Sequence, residues 1–287
     1  MKILAGIVTC NREDLLSRCI NSLLSQTLKP DLILIVNQGN QLQKIKTNKM
    51  ILVVNQENHG SAGGWSTAIN YSVENFFDFI WLMDDDGYPE INSLELLTNN
   101  FRKNYSCLSS VVLQENQSKK LVFSMPIINN KKFTSYFYKF TKLEELEKNS
   151  INNLYPFVHL FNGALISSSA IRKIGNINTK LKMYGEEVDY FHRLKSYGKI
   201  FTLLTSHHYH PNVQKKFIED KNIYFLIRNS IINNNKYSKF KYLKNFIVII
   251  ITLLRILERN GFRSLVKFIF FNNNLFLKSI YHGFKKI

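Results

Sequence analysis

The sequence is poor in cysteine and contains no long apolar run. The 287 residues include three cysteines, Cys10, Cys19 and Cys107. Because no two of them form a Cys-x-x-Cys pair, neither a structural zinc site nor a disulfide framework is expected. The nearest candidate for a membrane span, residues 246–254, ends at Arg255 and is shorter than the roughly 18–20 residues that a spanning helix needs. The chain starts directly with a strand-like segment, so no cleavable signal peptide is predicted and a reducing cytoplasm fits best.

Acidic residues are scarce relative to basic ones. The chain has 38 Lys and Arg against 21 Asp and Glu, which gives a net charge of +17. Such a balance attracts polyanions: nucleic acid, anionic lipid or a phosphorylated substrate. Much of the positive charge lies after residue 210, whereas the first hundred residues are less basic and contain an acidic triplet. This segregation predicts a basic tail on a catalytic domain and argues against a surface that coats nucleic acid.

Hydrophobic patterns predict an α/β fold. Short buried strands are predicted at residues 3–8, 32–37, 50–55 and 79–83, with helices at 14–26 and 65–77 between them. Strands that alternate with helices form a mostly parallel central sheet with helices on its faces. We expect a catalytic domain over residues 1–220 and a helical, basic region over 221–287. Residues 131–153, which are polar and aromatic, are expected to form an insertion on the acceptor side.

Three adjacent carboxylates, Asp84, Asp85 and Asp86, follow the fourth predicted strand. Such neighbours repel one another unless a cation neutralises them. Open α/β sheets bind ligands at the carboxyl ends of their strands. Oxygen ligands there suit Mg²⁺ or Mn²⁺ that is shared with substrate phosphates. The alternative is a solvated turn, since Asp and Gly are common turn residues.

A glycine-rich segment, residues 58–65, precedes the second predicted helix. Its small residues allow backbone N–H groups and a helix N-terminus to approach an anion closely. The segment is neither a GxGxxG nor a Walker A sequence, which disfavours a dinucleotide-binding or P-loop protein. A structural tight turn is equally compatible with it.

Two further clusters contain residue types that carry chemistry. Glu186 and Glu187 open a predicted helix, where acids are common for dipole reasons alone but where one carboxylate can also serve as a general base. His207, His208 and His210 follow a predicted strand at residues 199–204. A neutral imidazole is a plausible metal ligand, and surface histidines are equally common.

Taken together, these features resemble the family 2 glycosyltransferases of the GT-A fold. Matches to five family motifs occur in the family's order and cover roughly residues 1–232. They lie at residues 8–12, 58–65, 81–86, 185–193 and 224–229. The resemblance implies a GT-A fold and a metal-dependent, inverting glycosyl transfer in which an acceptor hydroxyl displaces a nucleoside diphosphate in one step.

The resemblance also implies roles for individual residues. The metal, Mn²⁺ or Mg²⁺, is assigned to Asp84, Asp86 and His210. Glu187 is assigned as the catalytic base, with Glu186 beside it. Tyr184 and Asp189, which flank this pair, are predicted to contact the acceptor. The residues assigned to the nucleotide-sugar donor are Thr9, Asn11, Arg12, Asn37, Asn58, Gly63, Gly64, Trp65, Asp84 and Asp85.

Two departures from the family pattern affect specificity. Asn37 stands where an Asp usually contacts the nucleobase, and Glu187 stands where the base is usually Asp. The run that ends in Asp84-Asp85-Asp86 looks most like bacterial galactofuranosyltransferases, whereas related rhamnosyltransferases more often carry Asp-Gln-Asp. UDP-galactofuranose is therefore favoured over dTDP-rhamnose as donor. The expected acceptor is a lipid-linked intermediate of a bacterial surface glycan of the O-antigen or capsule type.

The basic tail fits a setting at a membrane. Residues 241–258 and 262–286 combine apolar residues with Lys and Arg, as do helices that lie in the plane of anionic membranes. A peripheral location on the cytoplasmic face of the inner membrane is therefore expected, and an ordinary helical cap or a homo-oligomer interface is the alternative. The competing functions are a nucleic-acid-binding protein, for which no recognised module is present, a nucleotidyltransferase, and a non-catalytic binder of sugar nucleotides or polyanions.

Overall fold

The computed structural model describes residues 1–129, 132–133, 138–272 and 274–285. The chain forms two compact units. The sheet unit comprises residues 1–59, 63–177 and 193–213, and the helical unit comprises residues 60–62, 178–192 and 214–287. This division differs from a single boundary after residue 220, because the segment that leads into Glu186 and Glu187 groups with the C-terminal helices. The predicted insertion at 131–153 lies partly outside the described residues.

The strands are β1 (Ile3–Thr9), β2 (Leu32–Asn37), β3 (Ile51–Asn55), β4 (Phe79–Asp84), β5 (Tyr88–Pro89), β6 (Tyr105–Gln114), β7 (Gln117–Pro126), β8 (Ile128–Asn129), β9 (Lys132–Phe133), β10 (Lys139–Lys142), β11 (Leu154–Tyr155), β12 (Asn162–Ser167) and β13 (Lys199–His210). The helices are α1 (Glu13–Leu24), α2 (Gly60–Glu74), α3 (Ser93–Asn100), α4 (Leu143–Lys148), α5 (Ser168–Ile174), α6 (Glu186–Tyr197), α7 (Asp220–Tyr237), α8 (Lys241–Asn260), α9 (Phe262–Val266) and α10 (Leu275–Phe284). A 3₁₀ turn, Thr179–Leu181, precedes α6, and a π-helical turn, Lys267–Phe271, follows α9.

The central sheet has the strand order β10-β7-β6-β12-β4-β1-β2-β3. The first four strands of the chain run parallel to one another, as the sequence predicts. β12 is inserted antiparallel between β4 and β6. β13 runs parallel to β6 and antiparallel to the short strands β5 and β11.

The core of the sheet unit explains why the first strands form. All seven residues of β1 are buried, as expected for a strand covered on both faces. On α1, Leu16, Cys19, Ile20 and Leu23 recur at helical spacing and are buried against the same core.

The second helix begins earlier than its pattern predicts. α2 starts at Gly60, so the glycine-rich segment forms its first turns, whereas the sequence predicts a turn before a helix starting at Trp65. A Cβ added at Gly64 would lie 2.5 Å from Cγ1 of Val8. The glycine therefore allows the helix backbone to pack directly on β1, which overrides its low helix propensity.

The helical unit has a core of its own. On α7, Ile223, Ile227 and Ile231 recur every four residues and pack with Ile256 and Phe268. This confirms the helical pattern expected from about residue 220 onwards. Within the described ranges, none of the helices combines the length and the apolar character needed to cross a membrane.

Candidate active site

The carboxyl ends of β1 and β4 bring the acidic triplet next to the loop that follows β1. Val8 lies in register with Asp84 on one side and with Val36 of β2 on the other. Asp85 and Asp86 therefore emerge at the same edge of the sheet as Thr9 and Arg12. This is the edge at which α/β sheets bind ligands.

Asp85 is fully buried and is held from two sides. The Thr9 hydroxyl donates to its Oδ2 at 2.5 Å, and the Arg12 guanidinium pairs with its Oδ1 at 2.5 Å and donates from Nε to Oδ2 at 3.1 Å. Burial raises the pKa of Asp85, against the lowering effects of Thr9 and Arg12. Both Thr9, which is itself buried, and Asp85 thus serve as supports for the turn that carries Asp86.

Asp86 is the carboxylate of the triplet whose pKa is lowered. Arg12 Nη1 lies 2.6 Å from its Oδ2, and His210 Nε2 lies 3.1 Å from its Oδ1. Burial raises the pKa of Asp86, but His210 and Arg12 lower it more, to about 2. The same contact acts in reverse on the imidazole: burial lowers the pKa of His210, but the Asp86 carboxylate raises it above its ordinary value.

Asp84, the last residue of β4, has a different electrostatic environment. Burial first, and then the charges of Asp86 and Asp85, raise its pKa well above the ordinary value. The pKa values of the three adjacent acids are therefore shifted differently. Arg12 supplies a positive charge next to Asp85 and Asp86.

The three histidines of β13 separate because the strand continues to His210, beyond the predicted end at residue 204. Alternation along the strand buries His208 and His210, while His207 lies 2.9 Å from the Glu90 carboxylate. His208 packs against Gly87, and burial lowers its pKa to about 3. Extending the strand pattern through the histidines could have identified His208 and His210 as a pair on one face.

Asn37, the predicted contact to the nucleobase, is hydrogen-bonded to neighbouring residues of the protein. It is buried, and its Nδ2 donates to the backbone oxygen of Asn40 and to Oδ1 of Asn55, both at 2.8 Å. Asn11 accepts from the backbone N–H of Asn40 at 2.7 Å and adopts a φ of 57°. These contacts fix the loops after β1 and β2 together.

Two other residues predicted to bind the nucleotide-sugar donor, Asn58 and Trp65, differ in burial and in their contacts. Asn58 is exposed, and its Nδ2 lies 3.7 Å from Sγ of Cys10. Trp65 is buried and stacks on Phe161 with ring centroids 4.5 Å apart. The structure therefore places Trp65 in the core of the sheet unit, packed on Phe161.

The acidic pair of the helical unit lies at the start of α6. Glu186 is buried and accepts from the Ser61 hydroxyl at 2.5 Å, while Glu187 in the same first turn is half-buried. Burial raises the pKa of Glu186. Within the described part of the chain, Glu186 Oε2 is a buried oxygen that has no hydrogen-bond partner.

Residues of α7 anchor the loop that leads into α6, and the sequence analysis assigned them no role. The fully buried Asn229 donates to the backbone oxygens of Leu181 at 2.7 Å and Met183 at 2.6 Å. Asn233 donates to the backbone oxygen of Gly185 at 2.9 Å. The family match at residues 224–229 was the signal that could have pointed to this role.

The two predicted acceptor residues differ in exposure. Asp189 is buried and bonded to Lys236 Nζ at 2.8 Å and to the Tyr237 hydroxyl at 2.6 Å. Tyr184 is exposed and has a φ of 57°. Asp189 thus ties α6 to α7, whereas Tyr184 offers a free aromatic surface.

Asp86 and His210 offer donor atoms that suit a divalent cation. Carboxylate and imidazole ligands fit Mn²⁺, and Mg²⁺ in nucleotide sites is held by one or two carboxylates together with substrate phosphates. Across the described residues, no three His, Cys, Asp or Glu side chains are grouped so that they could hold a metal ion. The predicted trio of Asp84, Asp86 and His210 is therefore not among such groups in the described residues. The remaining pair suits a cation shared with a diphosphate.

Solved structures with a similar fold are glycosyltransferases. The structure of GalNAc-T7 with UDP, GalNAc and Mn²⁺ matches with a TM-score of 0.60 at 14% identity, over 94% of this chain and 56% of that one. The mannosyltransferase PcManGT of Pyrobaculum calidifontis, solved with GDP-Man and Mn²⁺, matches with a TM-score of 0.53 at 10% identity, over 98% and 79% of the two chains. At these identities the likeness concerns the fold, and it confirms the expected GT-A arrangement.

Sequence comparisons agree with the fold. The galactofuranosyltransferase GlfT1 of Mycolicibacterium smegmatis is 27% identical over 218 residues, which are 73% of this chain and 70% of that protein. Residues 5–170, more than half of the chain, match the model of glycosyl transferase family 2. The chain therefore belongs to glycosyl transferase family 2.

Proposed function

We propose that this protein is an inverting glycosyltransferase that transfers galactofuranose from UDP-galactofuranose to a hydroxyl of a lipid-linked bacterial surface glycan. The observation that carries the proposal is the cluster at the end of β4, where Asp86 faces both Arg12 and His210. The donor sugar is favoured by the likeness to a galactofuranosyltransferase and by the Asp84-Asp85-Asp86 sequence.

Asp86 and His210 are the residues that would hold Mn²⁺ or Mg²⁺ in this proposal. A divalent cation there supplies positive charge to a leaving diphosphate. Arg12 adds a permanent positive charge next to Asp86 and can move between carboxylate and phosphate oxygens, because its planar guanidinium pairs with either. Thr9 and Asp85 support this cluster through the hydrogen bond between them and the ion pair of Asp85 with Arg12.

Glu187 is the proposed general base that takes the proton of the attacking hydroxyl. A base placed in the first turn of α6 is held by the helix itself and by the anchors from α7. Glu186 acts as a positioning residue through its bond to Ser61. A positioned base of this kind contributes about 10²–10⁴-fold to the rate.

The helical unit supports the choice of a lipid-linked acceptor. Its helix α8 carries exposed apolar residues, among them Leu243 and Phe246, close in sequence to the half-buried Lys241 and Lys244. Exposed apolar and basic side chains on one helix are the features of proteins that lie on anionic membranes. A peripheral position on the inner membrane brings such an enzyme to an acceptor embedded there.

The test is a donor panel with the purified full chain and Mn²⁺. We would measure nucleotide release from UDP-galactofuranose, UDP-galactose, UDP-glucose, UDP-N-acetylglucosamine and dTDP-rhamnose. We expect slow, metal-dependent release of UDP from UDP-galactofuranose, and its loss in Asp86→Ala. The matched control is Asp14→Ala, which removes an exposed aspartate of α1.

The outcomes separate the alternatives. Turnover of dTDP-rhamnose in preference to UDP-galactofuranose would make the protein a rhamnosyltransferase. Metal-dependent nucleotide binding without turnover of any donor would make it a binding protein. With an acceptor present, Glu187→Gln should abolish transfer while leaving donor binding intact, whereas equal loss of binding would contradict its role as base.

A further inference from the structure

The helical unit contains a cavity with a volume of about 530 Å³. Three lysines, Lys236, Lys241 and Lys285, contribute to its lining, and the carboxylate among its lining residues is Asp189. Lys236 already pairs with Asp189 at 2.8 Å, so the charges of Lys241 and Lys285 are in excess of the carboxylate. The wall of this cavity is therefore net positive, with three ammonium groups against one carboxylate.

The geometry of α8 adds to the positive potential. Lys241 is the first residue of this 20-residue helix, where backbone N–H groups are free of intrahelical partners and the helix dipole is positive. Two lysines and a helix start that share one cavity form a site for an anion with several oxygen atoms, as a phosphate group has.

Exposed apolar residues lie on the two helices, α8 and α10, that contribute lysines or aromatic side chains to the lining of the cavity. On α8, Leu243, Phe246 and Leu254 are 60%, 62% and 58% exposed and recur on one side of the helix. On α10, Tyr281 is 65% and Phe284 is 49% exposed, and Phe284 lines the cavity. A soluble phosphorylated ligand does not require exposed apolar residues on the same helices, whereas a lipid does, because its phosphate adjoins apolar chains.

We propose that this cavity binds the phosphate of an anionic lipid headgroup, with the apolar residues of α8 and α10 entering the boundary of the acyl chains. Charge complementarity selects this occupant over a second copy of the chain, because two copies docked on this face would bring the same lysines together. The proposal deepens the proposed function, on whose membrane setting it rests, by naming the lipid-phosphate site, and it holds whichever sugar is transferred.

The experiment is vesicle flotation of the full chain, without donor or acceptor. The vesicles are phosphatidylcholine alone or phosphatidylcholine mixed with phosphatidylglycerol. We expect binding to the mixed vesicles only, and a loss of about fivefold in affinity for each cavity lysine removed, hence roughly 25-fold in the double variant Lys241→Gln/Lys285→Gln. The matched control is Lys221→Gln/Lys278→Gln, which removes two exposed lysines of the same unit outside the cavity lining. Equal losses in both double variants would show diffuse attraction by net charge and would overturn the proposal.

Two further arms identify the source of the phosphate. Leu243→Ser/Phe246→Ser changes exposed side chains and should lower vesicle affinity at least about tenfold with an unchanged unfolding temperature. If this variant floats like the wild type while inorganic phosphate alone raises the unfolding temperature through Lys241 and Lys285, the ligand is a soluble phosphate and the proposal is wrong. If light scattering shows that the variant dissociates a dimer without loss of flotation, the face is a subunit contact and the proposal is equally wrong. The flotation assay contains no sugar nucleotide, so a chain without transferase activity can still bind the vesicles. Failure of this proposal is therefore distinguishable from failure of the proposed function.

Discussion

Asn229 offers the sharpest test of how the loop before α6 is held in place. Its amide group donates two hydrogen bonds, to the backbone oxygens of Leu181 and Met183, in a fully buried environment. Asn229→Ala removes both donors and leaves two carbonyl groups without them. The carbonyl of Leu181 still accepts from the N–H of Met183 at 2.7 Å, so the loss there is one hydrogen bond, about 0.5–1.5 kcal/mol. The carbonyl of Met183 loses its buried donor, which costs about 1–3 kcal/mol, so the substitution should destabilise the protein by about 1.5–4.5 kcal/mol.

Asn233 supplies an internal comparison on the same helix. It donates one bond, to the backbone oxygen of Gly185 at 2.9 Å, so Asn233→Ala should cost about 1–2 kcal/mol. Asn229→Asp keeps the shape of the side chain but replaces the donor group by an acceptor oxygen that faces two carbonyl oxygens. This variant should also be destabilised, because the new oxygen faces the two carbonyl oxygens. Arg228 Nη1, which donates to the other side-chain oxygen at 3.0 Å, gives the carboxylate a charged partner.

The assay combines urea denaturation with hydrogen exchange of a peptide that covers residues 180–190. We expect the free energy of unfolding to fall in the order wild type, Asn233→Ala, Asn229→Ala, and exchange in this peptide to accelerate in the same order. Transfer to the acceptor should fall more than donor affinity, because a loosened loop misplaces the proposed base. A cost below about 1 kcal/mol for Asn229→Ala, or unchanged exchange in the loop, would refute the reasoning.

Three further predictions concern the sheet unit. Gly87→Ala would place a Cβ 2.3 Å from Nε2 of His208 and should lower the free energy of unfolding, measured by urea denaturation, by about 1–3 kcal/mol. The double variant with His208→Ala should recover part of this stability. No recovery would show that the strain lies elsewhere. Thr9→Val removes the hydroxyl that donates to the buried carboxylate of Asp85 and should lower the free energy of unfolding by about 1.5–3 kcal/mol. Thr9→Ser keeps a hydroxyl and should be close to wild type in stability. Equal effects of the two substitutions would contradict a stabilising role of this hydrogen bond. Without added metal, the lowered pKa of Asp86, about 2 against an ordinary 3.8, contributes about 2 kcal/mol of stability that is present above pH ~4 and is lost as pH falls through about 2. The raised pKa of His210 acts in the opposite sense: its contribution is complete below the ordinary pKa and is lost as pH rises through the raised value, so Asp86→Asn should flatten the denaturation profile at both ends.

Local patterns were sufficient for most of the elements. The predicted strands at residues 3–8 and 32–37 match β1 and β2 closely, and the helix predicted over 14–26 matches α1 (Glu13–Leu24). These elements have strong burial or propensity signals of their own. The start of α2 at Gly60 was missed because glycine lowers helix propensity, while the close approach to Val8 that the glycines permit is a tertiary effect.

The sequence by itself predicted the candidate site residues and determined at which end of the sheet the acidic triplet emerges. The triplet that ends at Asp86 follows a buried strand, and the carboxyl ends of parallel strands share one edge. The order of the family motifs along the chain was sufficient to predict the fold and the family. These properties depend on local order along the chain, which periodicity and spacing record directly.

Only the tertiary structure decided how these residues are paired. Arg12 reaches Asp86 across 74 positions of sequence, and His210 reaches it from a strand that pairs with β6. Asn229 likewise holds a loop 48 positions before it. No local pattern encodes such partners, because a side chain's partner, its burial and therefore its pKa are set by elements that meet only when the chain has folded.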